Sequence, residues 1–350
     1  MSVIEEYGWK PEWSNAAEPA VQPGQQWGRV VAQFRNRWVV QLDSGAADAQ
    51  LPGSFAGPLP VTGDWVLTEA NDGQATIVAV RPRFSAVSRG MAGSGQNEQV
   101  LAANIDTVWI VHALDPEPNL RSIERYLAVV WESGAVPEVI LTKADLAERA
   151  ADLIAQVESV AFGVTVRAVS VYDPASMADL KASLRPGRTV ALLGPSGAGK
   201  SSLVNALSAA EISLTGEVRG TDQKGRHTTT HRELFRIPGG GLLLDTPGMR
   251  ELRVWEVGEG LSLAFPDIME LANSCRFRDC SHRVEPGCGV LHAVAEGRLD
   301  PARLESYRKL EAEVAHEERK ADPLAHASAV ARHKTALKTL KYHPKYRQGE

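Results

Sequence analysis

Residues 189–201 read TVALLGPSGAGKS, an apolar run followed by the phosphate-binding pattern G-x-x-x-x-G-K-[ST]. The run predicts a buried strand and residues 202–208 predict a helix, so the pattern lies between strand and helix, as a phosphate-binding loop requires. Glycines let backbone N–H groups curl around a phosphate, and the helix N-terminus adds a positive dipole end. We expect Lys200 to reach the β- and γ-phosphates and Ser201 to ligate Mg²⁺. The candidate nucleotide contacts of this loop are Gly194, Pro195, Ser196, Gly197, Ala198, Gly199, Lys200, Ser201 and Ser202.

A second motif, Asp245-Thr-Pro-Gly248, follows the apolar run 241–244. A carboxylate at the end of a buried strand is the usual second Mg²⁺ anchor in enzymes with this loop. In isolation the pattern would more often mark a turn. Because it follows a phosphate-binding loop, we predict that Asp245 binds Mg²⁺ and that Gly248 offers a backbone N–H to the γ-phosphate.

A third motif indicates the base and consists of Thr142, Lys143, Ala144 and Asp145. Guanine presents two donors on its Watson–Crick edge, and an ionised aspartate can accept both. Asp145 therefore predicts selection of guanine, and the stem of Lys143 can cover the ring. Thr142 stands where asparagine is usual, which we expect to remove one amide hydrogen bond and a little affinity without changing the base. Ser170 marks a further guanine-contacting loop, on a weaker signal.

The order of the motifs along the chain is unusual. The guanine motif at 142–145 precedes the phosphate-binding loop at 194–201, which in turn precedes Asp245. The cyclic order of a GTPase is kept, but its starting point has moved. A sheet whose termini lie close together can be cut and rejoined in this way without changing its core. The chain thus resembles a circularly permuted GTPase, and alternating strands and helices predict a mostly parallel α/β sheet.

Short alternating segments precede this region at residues 28–34, 38–42, 61–67 and 76–80. Turn residues separate them, which predicts a small β-barrel of the OB type, a fold often used on oligonucleotides. A small barrel without a nucleic-acid role is the alternative.

A metal-site pattern, C-x4-C-x-H-x5-C, lies near the C-terminus and is formed by Cys275, Cys280, His282 and Cys288. These are all three cysteines of the chain together with one histidine. Three thiolates and one imidazole make a closed tetrahedral zinc site, structural because four ligands fill the shell. A disulfide would leave one thiol unpaired.

Barrel, permuted motifs and cysteine–histidine spacing together resemble the RsgA/YjeQ family of small-ribosomal-subunit biogenesis GTPases, over residues 25–320. The segment Gly225-Arg-His-Thr-Thr-Thr230 matches the family's switch segment. The resemblance implies binding to the small subunit late in its assembly, GTP hydrolysis stimulated there, and release of maturation factors. An RNA-binding assembly protein with a slow, regulatory nucleotide site is the alternative, and Asp145 argues against an ATP-dependent phosphotransferase.

Hydrolysis of GTP requires a residue that orients the attacking water. Met249 occupies the place where many GTPases carry the glutamine that orients this water, so we expect slow intrinsic turnover. His227 is the catalytic candidate, because an imidazole can hydrogen-bond a water at neutral pH. A role of His227 in packing the switch is the alternative. The family pattern implies that Thr229, rather than Thr228 or Thr230, closes on Mg²⁺ and the γ-phosphate.

Composition and charge indicate where the protein acts and which partners it could bind. The chain has 350 residues and a net charge of −5, yet residues 331–350 are basic. Such a tail can contact a phosphate backbone, although a solvated helical tail is an equal alternative. The sequence shows no export signal and no run of about 20 apolar residues that would predict a membrane span. We therefore expect a cytoplasmic protein that does not bind a membrane, and we expect it to be a monomer. The expected partners are GTP or GDP and the small ribosomal subunit with its rRNA.

The predicted organisation is an N-terminal extension 1–24, an OB-fold barrel 25–82, a linker 83–99, a permuted GTPase domain 100–258, an α-rich zinc-binding domain 259–330 and a basic tail 331–350. The segment after Gly248 leads directly into the zinc-binding domain. With the barrel on the side of the guanine motif, nucleotide state would set the angle between two RNA-contacting modules.

Overall fold

Three parts follow one another in the computed structural model: a closed barrel, a largely parallel sheet with helices on both faces, and a group of C-terminal helices. The structure describes residues 2–16, 21–71, 74–90, 98–215, 232–245 and 258–321. This is the predicted fold class of barrel, α/β domain and α-rich C-terminal part. Among the described residues, no helix combines the length and the apolar character needed to cross a lipid bilayer.

The N-terminal extension, for which the sequence suggested no role, forms two short helices, α1 (Val3–Glu6) and α2 (Pro11–Ala16). Its Trp9 stacks on Trp27 with ring centroids 5.6 Å apart and meets the edge of Trp65 at 5.0 Å. Aromatic pairs of this kind add to the apolar area that they bury. The extension is thereby fixed against the barrel.

Five strands form the barrel: β1 (Gln25–Gln33), β2 (Trp38–Leu42), β3 (Gly45–Gln50), β4 (Trp65–Asn71) and β5 (Gln74–Val80). They are hydrogen-bonded in the order β1-β2-β3-β5-β4, and β4 pairs back onto β1, which closes the barrel. Val30, Val40, Val66 and Ile77 are fully buried inside it. Closure pairs residues 25–29 of β1 with β4 and leaves the C-terminal end of β1 outside that pairing, as in the partly open barrels of the OB type.

Two details differ from the expected strands. Strand β3, whose sequence is GAADAQ, lacks the branched and aromatic residues that usually mark a strand. The strand expected at 61–67 begins only at Trp65, because a turn precedes it, with Gly63 at φ +95°. A Cβ at Gly63 would lie 2.1 Å from the carbonyl oxygen of Ala103, so the turn needs glycine.

The interval expected to be a linker, 83–99, contains most of a hairpin. Strand β6 (Ala86–Gly90) pairs with β7 (Glu98–Ala103) in antiparallel fashion. Val87 and Leu101 are buried in the same core as α3 (Leu120–Glu132). The glycine- and serine-rich composition of this interval did not predict this pairing.

Six strands form the α/β sheet: β8 (Thr107–Ala113), β9 (Val136–Thr142), β10 (Thr165–Ala168), β11 (Thr189–Leu193), β12 (Arg232–Arg236) and β13 (Leu242–Asp245). Their order is β10-β9-β8-β11-β13-β12, parallel except for β12. The central strands are almost continuously apolar because helices cover both faces. Helices α3 and α4 (Ala150–Glu158) pack on one face, and α5 (Pro174–Ser183) and α6 (Lys200–Thr215) on the other.

The barrel joins this sheet through one strand pair. Strand β1 pairs with β12, with Ala32 opposite Glu233, so both units share one sheet of eleven strands among the described residues. Strand β12 is the edge opposite β10 and is separated from β9, which leads into the guanine motif. The expectation that the barrel lies on the guanine-motif side is therefore wrong. Within the α/β domain, β12 is an edge strand, and its free backbone groups are available for pairing with β1 of the barrel.

The C-terminal helices are α7 (Gly258–Ala264), α8 (Pro266–Ala272), α9 (Gly289–Ala295) and α10 (Pro301–Ala321). Helix α7 lies so close to α3 that a Cβ at Gly260 would be 2.2 Å from the carbonyl oxygen of Ala128. The Gly260 N–H also donates to Glu132 Oε2 at 2.8 Å. Asp300 caps α10, since its side chain accepts a hydrogen bond from the N–H of Ala302 at 2.8 Å.

A buried charge cluster ties α10 to the α/β domain. Arg303 donates to Glu124 Oε1 at 2.7 Å and, with two nitrogens, to both carboxylate oxygens of Asp267 at 2.6 and 2.7 Å. Ser306 donates to the other oxygen of Glu124. Glu124 belongs to α3 and Asp267 to α8, so a single guanidinium connects three helices.

Candidate nucleotide-binding site and metal centre

The phosphate-binding loop connects β11 to α6, as predicted. Its first glycine, Gly194, has φ +148°, and a Cβ there would lie 2.1 Å from the carbonyl oxygen of Val111 on the adjacent strand. No other residue could follow the buried strand so closely. The loop is thereby held against β8 and opens at the carboxyl end of the sheet, where ligands of α/β folds bind.

The ammonium group of Lys200 lies over this loop. Its Nζ donates to the carbonyl oxygens of Gly194 and Pro195 at 2.6 and 2.5 Å. Lys200 is the first residue of α6, so its positive charge adds to that of the helix N-terminus. The loop therefore presents concentrated positive potential, which suits a polyphosphate.

The guanine motif lies directly beside the loop. The buried hydroxyl of Thr142 donates to the carbonyl oxygen of Ala198 at 2.7 Å. Lys143 adopts the left-handed conformation (φ 58°, ψ 38°), and Asp145 is solvent-exposed in the single 3₁₀ turn Ala144–Leu146. Two motifs that are well separated in sequence thus form one site.

The loop that contains Ser170 adjoins this motif. The N–H of Ala144 donates to the carbonyl oxygen of Val169 at 3.2 Å, which holds the two loops together. Ser170 is buried, its N–H donates to Ser176 Oγ, and its hydroxyl accepts the N–H of Tyr172, both at 3.2 Å. The weak sequence signal at Ser170 therefore corresponds to an ordered loop beside the guanine motif.

One residue of this region, His112, was not suggested by sequence reasoning. It lies on β8, it is 4% exposed, and its ring centroid is 5.8 Å from that of Tyr126. Burial, with a contribution from the positive charge of Lys200, lowers the pKa of His112 to about 4. Its Nε2 has no hydrogen-bond partner among the described residues. A histidine within an otherwise apolar strand was the available signal.

Several predicted site residues lie outside the described residues. These are His227, Thr229 and Gly248, together with Thr228, Thr230 and Met249. Asp245 ends β13, and only its backbone is described. Their roles stay predictions.

The cysteine–histidine cluster comes together as predicted. One ligand atom from each of Cys275, Cys280, His282 and Cys288 lies within 4.8 Å of the others. Cys275 Sγ is 3.6 Å from His282 Nδ1 and 3.8 Å from Cys288 Sγ. Burial lowers the pKa of His282, which keeps the imidazole in the neutral form that ligates metals. The donor set fits a tetrahedral metal ion.

Glu285 orders the loop that presents His282. Its carboxylate accepts hydrogen bonds from the hydroxyl and the N–H of Ser281 and from the N–H groups of Arg283 and Val284. These donors, the Ser281 hydroxyl first, hold the pKa of Glu285 well below its usual range. The loop geometry is thus stabilised by a group that is not itself a ligand.

Comparison with known protein families shows which family the chain belongs to. The family model described as RsgA GTPase matches residues 80–255, about half of the chain. The chain belongs to the RsgA GTPase family. It is therefore a GTPase, and the resemblance drawn from the motifs is confirmed.

RsgA relatives match most of the chain. The "Small ribosomal subunit biogenesis GTPase RsgA" of Methanosarcina acetivorans is 41% identical over 299 residues, which cover 84% of this chain and 81% of the relative. The protein of the same name from Xanthomonas oryzae pv. oryzae is 45% identical over 319 residues, covering 89% and 85%.

Solved structures agree with the RsgA assignment. YjeQ from Thermotoga maritima superposes with a TM-score of 0.64 at 26% identity, covering 83% of this chain and 99% of that one. YloQ, described as a circularly permuted GTPase, gives a TM-score of 0.63 at 26% identity and covers 83% and 96%. The permuted order of motifs is therefore shared with structures of the same architecture.

Proposed function

We propose that this RsgA-family GTPase acts in late maturation of the small ribosomal subunit, where the subunit stimulates hydrolysis of GTP to GDP and phosphate and hydrolysis is coupled to factor release. The names of the relatives at 41% and 45% identity support this setting. The observation that carries the nucleotide chemistry is the hydrogen bond from Thr142 to Ala198. It combines a base-selecting motif and a phosphate-binding loop into one guanine-nucleotide site.

Within this site, Asp145 accepts the two donors of guanine, and the exposure of its carboxylate leaves it accessible to a base. The backbone N–H groups of residues 194–202, apart from Pro195, which has none, and the Lys200 ammonium hold the phosphates. Positive charge placed there stabilises the charge that develops on the γ-phosphate oxygens in the transition state.

Magnesium would be held by Ser201, Asp245 and Thr229. When bound, it supplies charge neutralisation at the β- and γ-phosphate oxygens. Ser201 is exposed in the first turn of α6, next to Lys200, which is compatible with this role. His227 orients the attacking water, because Met249 has no group that could do so.

Zinc is the metal that the cluster of Cys275, Cys280, His282 and Cys288 would hold, and its role is structural. Bound zinc ties the loop after α8 to the start of α9, whose N-cap is Cys288. Metal content measured after purification without added metal should approach one zinc per chain, and Cys280→Ser should lower it. Retention of wild-type zinc in that variant would contradict the assignment.

The partners that complete this function are the small subunit and its rRNA, in the cytoplasm, with the protein acting as a monomer. The basic segment 331–350 offers charge for a phosphate backbone. The lack of a membrane-spanning helix among the described residues is compatible with this setting.

The test is GTP hydrolysis by the purified protein with and without small ribosomal subunits. We expect strong stimulation by subunits in the wild type and its loss in His227→Ala. His292→Ala, which removes an exposed imidazole on α9, is the matched control and should behave as the wild type. Absence of stimulation would overturn the ribosomal function. Stimulation that survives in His227→Ala would overturn the role of His227 alone.

A further inference from the structure

A cavity of about 190 Å³ lies where the N-terminal extension, the barrel and the α/β domain meet. Its wall combines Trp9 and Trp13 of the extension, Trp65 of the barrel, and Arg188 of the loop before β11. Arg188 and the nearby Asp106 precede β11 and β8, at the amino ends of the parallel strands. The guanine and phosphate loops follow the carboxyl ends, so this cavity is separate from the nucleotide site.

Four aromatic residues line the wall, and two of them are accessible. Trp9 and Trp65 are almost fully buried, whereas Trp13 is only partly covered and Phe84 is 45% exposed. The rings of Trp9 and Trp13 are perpendicular, with centroids 5.5 Å apart. A planar guest that enters the cavity would therefore meet chiefly the accessible ring of Trp13, with Trp9 and Trp65 behind it.

Positive charge accompanies these rings. The guanidinium of Arg81 lies 4.1 Å and the ammonium of Lys10 lies 5.2 Å from the centroid of Trp13. Lys10 is exposed and forms no ion pair within the described ranges. Arg188 is half-exposed and shares its charge with Asp106, at 2.6 Å. Glu5 also lines the cavity and opposes this charge, so Lys10 and Arg81, both beside Trp13, are the cations that could attract an anion.

A buried charge fixes the back wall. Arg29 donates to the carbonyl oxygens of Gly63 at 3.2 Å and of Asn104 at 2.8 Å, and also to that of Tyr7. Burial lowers the pKa of Arg29 to about 10, so it stays charged at neutral pH. One guanidinium thus holds extension, barrel and α/β domain together, and the cavity between them is preorganised.

We propose that this cavity binds an unstacked nucleotide of single-stranded RNA, with the base against Trp13 and the phosphate at Lys10. Stacking on an aromatic face beside cations is the usual way in which proteins hold single-stranded RNA, and it tolerates any base. A void of this size accommodates one base and excludes a stacked duplex. This inference rests on the proposed function, because the RNA that the protein would meet on the small ribosomal subunit is rRNA.

The test measures affinity for a fluorescein-labelled ten-nucleotide single-stranded RNA by anisotropy. Trp13→Ala should weaken binding about tenfold, because stacking contributes on the order of 1–3 kcal/mol per base. Trp13→Phe should keep most of the affinity. Lys10→Ala should weaken binding severalfold and reduce the salt dependence by about one phosphate contact. Lys309→Ala, which removes an exposed lysine of α10, is the charge-matched control and should match the wild type.

A second measurement remains informative if Trp13→Ala disturbs folding. RNA carrying 5-iodouridine, cross-linked to the wild type by ultraviolet light, should attach within residues 9–13. Unchanged affinity in both Trp13→Ala and Lys10→Ala, or cross-links confined to other segments, would overturn the proposal. Equal binding of a duplex, or competition by free adenosine monophosphate as effective as that by RNA, would overturn the assignment to single-stranded RNA.

The two proposals fail in different ways. If subunits stimulate GTP hydrolysis but the RNA measurements show no dependence on Trp13 or Lys10, only the cavity proposal is wrong. If RNA binding depends on both residues but subunits give no stimulation, the cavity binds RNA and the ribosomal function is wrong.

Discussion

The hydroxyl of Thr142 donates a hydrogen bond to the carbonyl oxygen of Ala198 across 2.7 Å. Thr142 also packs on the next residue of the loop, since a Cβ at Gly199 would lie 3.0 Å from its Oγ1. The sequence suggested that threonine at this position loses an amide hydrogen bond. The structure shows that its hydroxyl instead connects the guanine motif to the phosphate-binding loop, so the regions predicted to recognise base and phosphate are in direct contact.

Replacing Thr142 by valine should weaken guanine-nucleotide binding by about three- to tenfold. The substitution keeps the shape and removes the donor, and one such hydrogen bond contributes about 1 kcal/mol, where 1.4 kcal/mol is tenfold in affinity. Thr142→Ser keeps the hydroxyl and should stay close to the wild type. Titration with a fluorescent GDP derivative measures both. Equal affinity of the valine variant would show that the bond has no part in binding.

Alanine at Gly194 should abolish nucleotide binding, whereas alanine at Gly197 should only reduce it. A Cβ at Gly194 would lie 2.1 Å from the backbone carbonyl of Val111, which cannot move without disturbing β8. At Gly197, φ is +79° but no atom lies within 4 Å of the added Cβ, so the cost is about 1 kcal/mol of backbone strain. The same titration compares the two variants, and a reversed order would contradict the steric argument.

Local chemistry made part of this molecule predictable. The loop at 194–201, the motif at 142–145 and the cysteine–histidine cluster each depend on a few residue types at fixed spacing, and the structure places each where its pattern requires. Strand β11 and helix α6 were predictable for the same reason, since periodicity and glycine chemistry act over neighbouring residues.

Features that depend on distant partners were not predictable. Strand β3 is held by its neighbours rather than by its own propensity, and the β1–β12 pair depends on which sheet edge is available. The extension folds because Trp9 meets Trp27 and Trp65 of the barrel. A pattern in one stretch of sequence does not predict such tertiary contacts, because they depend on how segments that are distant in sequence pack together.

The buried imidazole of His112 should make the protein sensitive to moderate acid. Its pKa is about 4 in the folded protein and 6.5 when exposed, so only the unfolded state gains the proton between these values. Stability is therefore lost as the pH falls from about 6.5 to about 4, by up to about 3 kcal/mol from this group. Urea unfolding of the wild type and His112→Gln across this range should give curves that diverge below pH 6.5. Parallel curves would contradict the burial of a neutral imidazole, and His292→Gln serves as the exposed control.

Removing the guanidinium of Arg303 should destabilise the protein severely. Arg303→Met leaves the buried Glu124 and the half-buried Asp267 without their cation, and loss of one partner of a buried ion pair typically costs about 3–5 kcal/mol. Arg298→Met, at an exposed pair with Glu296, should leave the urea midpoint close to that of the wild type, because solvent screens such a pair. Urea unfolding measures both, and adding Glu124→Gln to Arg303→Met should recover part of the loss. If Arg303→Met were as mild as Arg298→Met, the charge cluster would not be what holds α10 on α3.

The same cluster bears on how nucleotide state could reach the zinc-binding domain. Gly260 fixes α7 on α3 and Arg303 fixes α10 on α3, so a change of angle between this domain and the sheet would have to break both contacts. We therefore expect scattering profiles with a GTP analogue and with GDP to coincide in the wild type and to separate in Arg303→Met. Clearly different profiles in the wild type would show that the C-terminal helices move despite these contacts, as the permuted connection after Gly248 first suggested.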